Sequence, residues 1–123
     1  MAPKCPIEST LSLINGKWKL LILKELSFGP MRYGKVEKAI PDISAKVLTQ
    51  QLREMEADKL VVRTVFPEVP PRVEYSLGAL GVSIFTVFVE MRSWSLSEND
   101  IREVHCSGCK SCVPSDYYKK AAV

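Results

Sequence analysis

Apolar residues recur first at helical spacing, then in alternation, then at helical spacing again. Pro6 suits the first turn of a helix and makes Cys5 its N-cap, with Ile7, Leu11 and Ile14 on the apolar side and Asn15-Gly16 as the stop. A second helix is predicted from Lys17 to Leu26, where Trp18, Leu21, Ile22 and Leu26 share one face and Gly29-Pro30 ends the pattern. A short helix from Arg32 to Ile40 carries Tyr33, Val36 and Ile40. Pro41-Asp42 then punctuates the chain. Ser44 is an N-cap candidate for a fourth helix, with Ile43 and Leu48 as a hydrophobic staple and Leu48, Leu52 and Met55 as the buried stripe.

Beyond this helix the period shortens. Val61 to Phe66 and Arg72 to Leu77 are rich in β-branched and aromatic residues, and Val73, Tyr75 and Leu77 alternate with polar neighbours. Pro67-Glu68-Val69-Pro70-Pro71 between them cannot extend a ladder and reads as a hairpin tip. A last long helix is expected from Ala79 to about Trp94, and Ser97 with Asp100 suits the cap of a further turn. The expected fold is mainly α with a small β-hairpin. The element order is that of a winged helix-turn-helix, spanning residues 1–104 and followed by a tail at 105–123.

Composition narrows the class without deciding it. The 123 residues are 46% hydrophobic and 25% charged, which suits one soluble globular domain and excludes a disordered or low-complexity chain. The start has no apolar signal region. The run from Leu77 to Met91 is broken by Ser83, Thr86 and Glu90, short of the roughly 18 apolar residues of a membrane span. A cytoplasmic protein with no membrane partner is expected.

The net charge of +3 is too small to identify a partner, but its placement is informative. From Asn15 to Arg53, eight basic residues face three acidic ones, so the helical segment carries +5 and the rest of the chain −2. Within it Lys46, Thr49, Gln50 and Arg53 lie at offsets of three, four and seven from the first, opposite Leu48, Leu52 and Met55. Each can bond a phosphate or a base edge, and Gln and Arg read adenine and guanine bidentately in the major groove. A solvated helix face has the same composition, and the clustered charge favours the DNA reading. Arg32 opens the preceding helix, where phosphate binds well. Tyr33 beside it is expected in the core with its hydroxyl at the edge. Arg63 and Arg72 flank the hairpin, where they serve as wing contacts or as ordinary strand-surface residues.

With these residues in view, the sequence resembles the HxlR-type winged helix-turn-helix transcriptional regulators, relatives of the MarR group. The stretches Cys5-Pro6-Ile7-Glu8, Gly16-Lys17-Trp18-Lys19, Leu48 to Glu54 and Pro67 to Tyr75 carry the resemblance. It implies a homodimer on a short palindromic operator of double-stranded DNA, with a thiol sensor at the Cys5 position. Gly78-Ala79 departs from the Thr-Glu pair expected there and implies a weaker cap on the helix that follows.

That helix is apolar on two sides: Leu80, Ile84, Val87, Phe88 and Met91 on one, Val82, Phe85 and Val89 on the other. One side suffices for a small monomer, so Leu80, Ile84, Phe85, Phe88 and Met91 are candidates for a dimer interface formed by terminal helices. Cys5 lies at a helix N-terminus beside Lys4, a setting in which thiols become reactive toward oxidants and electrophiles, although a buried inert thiol is the plainer alternative. Cys106, Cys109 and Cys112 follow His105 at C-x-x-C-x-x-C spacing. A thiol–disulfide switch, a zinc or iron–sulfur site completed by Cys5, and unremarkable tail thiols all fit that spacing. No cofactor is otherwise expected.

The expected function is a dimeric, sequence-specific DNA-binding regulator that senses oxidants or electrophiles through Cys5. The alternative is a metal- or iron–sulfur-responsive regulator using the tail cysteines. An enzyme is not expected: a small thiol oxidoreductase would carry its C-x-x-C at a strand-to-helix junction rather than in a polar tail, and no catalytic triad or carboxylate pair is recognisable. A winged helix used only for protein contacts is a third class.

Overall fold

Pro6 at the first position opens α1 (Pro6–Leu13), with Cys5 in extended conformation as its N-cap and no side-chain cap bond. The computed structural model describes residues 5–98. Lys4, Asp100, His105, the boundary at residue 104 and the cysteines Cys106, Cys109 and Cys112 lie outside the described residues. α1 ends before the expected Asn15-Gly16 stop, with Ile14 as its C-cap, and Gly16, at φ +81°, is the N-cap of the next helix. α2 (Lys17–Leu26) follows and buries Ile22, Leu23 and Leu26.

Met31–Arg32 forms a two-residue strand, β1, rather than the start of the third helix. α3 (Tyr33–Ala39) is correspondingly shorter than its pattern suggests. α4 (Ala45–Ala57) begins where Ser44 accepts a 3.1 Å hydrogen bond from the Val47 N–H, the expected N-cap. Leu48, Leu52 and Met55 are buried along it. α3 and α4 are the helix-turn-helix.

β2 (Val61–Phe66) and β3 (Arg72–Leu77) match the two β-branched and aromatic runs and pair antiparallel from Val61↔Leu77 to Phe66↔Arg72. β1 adds to the other edge of β3 through Met31↔Tyr75 and Arg32↔Glu74, giving the sheet order β1-β3-β2. The alternation of β3 is not reflected in its burial, since all six residues are half-buried. As the middle strand it has partners on both edges, and Tyr75 and Leu77 pack on the core.

The last helix is divided into α5 (Ala79–Ser83) and α6 (Phe85–Ser97) by a tightened turn at Ile84. There the Val87 N–H reaches Ile84 O at 3.0 Å in a bond spanning three residues. Together they form a 19-residue run with mean hydropathy 1.2, long and apolar enough by length and composition to cross a membrane. Ile84, Phe85, Phe88 and Val89 of this run belong to the core, with the Phe85 and Phe88 rings edge to face at 5.1 Å. Gly78 caps α5 without a side-chain bond, as the departure from Thr-Glu implies. Its glycine has a packing reason: a Cβ there would lie 2.7 Å from Lys59 O.

An ion pair between a buried lysine and an exposed glutamate fixes α4 to α2. Lys19 is 6% exposed, and its Nζ lies 3.2 Å from Glu54 Oε2 and 3.4 Å from Asn15 Oδ1. One of the eight cations counted toward DNA is therefore turned inward. Glu54→Ala leaves that ammonium buried with only a neutral partner, and a loss of about 1–3 kcal/mol in urea unfolding is expected. Lys19→Met, which removes the charge together with its need for a partner, should lose less. Equal losses in both variants would show that the pair does not brace α4.

Candidate nucleic-acid interface

The N-cap at Ser44 and the buried Leu48–Leu52–Met55 stripe set the rotation of α4, and that rotation decides which side chains face out. Lys46, Gln50 and Arg53 are exposed, and Thr49 is half-buried between them. With Ala45 and Glu54 they line a shallow groove of about 580 Å³. The four residues predicted from spacing thus share one surface. Glu54 at its border is engaged with Lys19 and with Gln51 Nε2 at 3.4 Å.

The wing lies beside this groove. A second cavity, of about 400 Å³, is lined by Tyr33, Thr49, Arg53, Glu56, Arg63 and Tyr75, so α4 and β2 each contribute an arginine to it. Glu56 faces the same cavity and offsets part of that charge. Arg63 is exposed at the β2 position opposite Tyr75. Arg72 has a different setting. Its guanidinium stacks 4.1 Å over the Phe66 ring and lies 3.5 Å from Glu68 and 3.4 Å from Glu74. It is thereby a brace of the hairpin, and any contact with a phosphate exchanges those carboxylates. Arg32 is exposed on β1, where it lines a cavity of about 470 Å³ with the wing tip.

Sequence reasoning did not foresee the part played by Tyr33. Its hydroxyl lies 3.0 Å from Ala45 O and 3.1 Å from Thr49 Oγ1, tying α3 to the exposed face of α4. The available signal was the hydroxyl itself, at a helical position where a purely apolar ring would fill the same space.

The interface expected on the last helix is corrected. Ile84, Phe85 and Phe88 lie in the chain's own core, with Phe85 fully buried, and of the five named residues only Leu80 and Met91 are exposed. The apolar surface includes instead Leu80, Val87, Met91 and Trp94, at offsets of seven, four and three along one face. α1 has no buried residue at all, and its Ile7 and Leu11 are 70% and 57% exposed. Cys5 is half-buried at the start of this helix, with its carbonyl accepting from Ser9 N and Ser9 Oγ at 2.9 and 3.1 Å. Among the described residues no cluster of His, Cys, Asp or Glu could hold a metal ion.

A helical core built from α2, α3, α4 and the last helix, with an exposed polar and basic face on α4 and a flanking three-stranded sheet, defines a winged helix-turn-helix DNA-binding protein. The HxlR-like helix-turn-helix family matches residues 13–102, and the chain belongs to that family. It is 40% identical over 103 residues to the HTH-type transcriptional regulator YybR of Bacillus subtilis (strain 168), covering 84% of this chain and 82% of that one. The redox regulator HypR in its oxidised form is 40% identical with a TM-score of 0.69, over 79% of this chain and all (100%) of that one. The reduced form of the transcriptional regulator YodB from B. subtilis is 37% identical with a TM-score of 0.73, over 80% of this chain and 97% of that one. The protein is a transcriptional regulator of the HxlR/MarR type.

Proposed function

We propose that the protein is a cytoplasmic homodimer that binds a short palindromic operator and changes its DNA affinity when Cys5 reacts with an oxidant or electrophile. The observation that carries the DNA-reading part is the single face of α4 on which Lys46, Thr49, Gln50 and Arg53 meet. Arg53 and Gln50 read base edges, Lys46 holds a phosphate, and Arg63 extends the footprint from the wing. Arg32 contacts the backbone beside α3, and Arg72 chiefly supports the wing that presents Arg63.

Dimerisation is supported by the exposed apolar side chains of both terminal helices, Ile7 and Leu11 on α1 and Leu80, Val87, Met91 and Trp94 on α5 and α6. A two-fold pair presents its recognition helices about 34 Å apart, one turn of duplex. The sensing role of Cys5 draws on its place at the head of α1, a helix with no buried residue, and on the redox regulation named for HypR. Chemistry at Cys5 would then act on a helix of the dimer contact and alter the spacing of the two reading heads.

The test is selection of bound sites from random duplexes, run with reduced and oxidised protein and with Cys5→Ser. Palindromic sites with half-sites one turn apart are expected, with oxidation changing the affinity of the unsubstituted protein and not of Cys5→Ser. Isolated single half-sites argue against the dimer. A full oxidant response in Cys5→Ser removes Cys5 as the sensor.

A further inference from the structure

We propose that Tyr33 is a positioning residue that makes Thr49 a hydrogen-bond acceptor only, so that the recognition helix selects a base with an amino group, cytosine or adenine, at the step Thr49 faces. This rests on the assignment of α4 as the DNA-reading helix and specifies one of its contacts.

The direction of each proton follows from the partners. The Tyr33 hydroxyl lies 3.0 Å from Ala45 O and 3.1 Å from Thr49 Oγ1. A phenol carries one hydrogen, and a carbonyl oxygen can only accept. The Tyr33 proton therefore points at Ala45 O. The reverse arrangement would set two oxygens 3.0 Å apart with no hydrogen between them. The Tyr33 oxygen then accepts from Thr49, which uses the single hydroxyl proton of Thr49. A mid-helix threonine ordinarily turns its hydroxyl back to the carbonyl four residues earlier. Here that carbonyl is Ala45 O, to which the Tyr33 hydroxyl donates.

Thr49 is left with lone pairs and no donor. It is half-buried and lines both the groove of α4 and the cavity toward the wing, so its side chain borders the surface offered to DNA. Phosphate oxygens, guanine O6 and N7, adenine N7 and thymine O4 are all acceptors, and none of them can pair with such an oxygen. The major-groove groups that can are the amino groups, N4 of cytosine and N6 of adenine. Thr49 is accordingly no phosphate clamp, unlike Lys46 on the same face.

The experiment compares sites selected from random duplexes by the unsubstituted protein, Thr49→Ser, Thr49→Val, Tyr33→Phe and the double variant Tyr33→Phe/Thr49→Val. The unsubstituted protein and Thr49→Ser should favour cytosine or adenine at one position of each half-site, by about fivefold for one hydrogen bond. Thr49→Val should lose that preference and leave the other positions unchanged. Tyr33→Phe frees the Thr49 proton but also vacates Ala45 O, so the proton is shared between that carbonyl and a base acceptor; the preference at this position should weaken and partly admit guanine or thymine, and the double variant should match Thr49→Val. Affinity for a random duplex, measured alongside, reports intact folding and unchanged phosphate contacts. A preference unaltered by Tyr33→Phe overturns the proposal. So does its survival in Thr49→Val, which would assign the contact to the methyl group that valine keeps. If the unsubstituted protein selects no sequence, the assignment of α4 itself fails and the proposal fails with it.

Discussion

Gly81→Ala should destabilise the fold by about 3 kcal/mol, at the upper end of what overpacking costs. Gly81 is buried on α5, and a Cβ built there would overlap the Leu60 carbonyl oxygen and approach Leu60 C at 3.2 Å. The main obstacle is the backbone carbonyl of Leu60, with Leu77 Cδ2 at 3.3 Å beside it, so no side-chain rotation relieves the overlap. Leu60 is itself fixed. Its N–H donates to Met55 O at 2.9 Å, its carbonyl accepts from Gly78 N at 2.9 Å, and its side chain is fully buried. Lys59 before it holds φ +64° to end α4. Thus α5 cannot retreat without opening the junction between the recognition helix and the wing. For a domain of this size each kcal/mol lowers Tm by roughly 4–8 °C, so a fall of more than about 10 °C is expected in a thermal melt. Gly78→Ala meets Lys59 O at 2.7 Å and should fall less. A melting curve for Gly81→Ala that matches the unsubstituted protein would show that α5 does not pack on Leu60 in this way.

That junction illustrates what the sequence conveys and what it does not. α2 and α4 were legible because each buries a repeating set of side chains, β2 and β3 because β-branched and aromatic runs flank a proline-rich tip, and Pro6, Gly16 and Ser44 mark ends through chemistry local to the chain. β1 was not legible: two residues have no period, and Met31–Arg32 is a strand only because β3 offers an open edge. The last helix showed two apolar stripes, and periodicity cannot say which side meets its own core. The answer mixes them, with Ile84 and Phe88 turning inward from the stripe that leaves Leu80, Val87 and Met91 outside. Local charge was legible as a sum and not as a direction. Lys19 adds to the balance of the helical segment yet points at Glu54, and Arg72 lies in the wing but is held by Glu68 and Glu74. The site was most legible on α4, where one helix supplies all four side chains. It was least legible where two elements must meet, as at Tyr33 and Thr49.

Arg53→Ala and Lys46→Ala should both weaken operator binding, in different ways that separate reading from clamping. Arg53 lines both the groove of α4 and the cavity shared with Arg63, so it is exposed between the recognition helix and the wing. A guanidinium there can make two parallel bonds to guanine O6 and N7, worth about 1–3 kcal/mol of discrimination. Arg53→Ala should therefore lower operator affinity roughly 5- to 150-fold per half-site contact and relax one operator position, with a smaller loss on random DNA. Lys46 is the second residue of α4, near the helix end at which phosphates are bound, and its ammonium has no directional base code. Lys46→Ala should weaken operator and random duplexes alike and reduce the salt slope by about one for each subunit on the DNA. Titrations of both duplexes across a salt series distinguish the two variants. If Arg53→Ala lowers both affinities equally and leaves base preference intact, Arg53 is a phosphate contact. Gln50 would then be the remaining exposed side chain of this face with a bidentate base code, and the specificity of the helix would rest on Gln50 and Thr49.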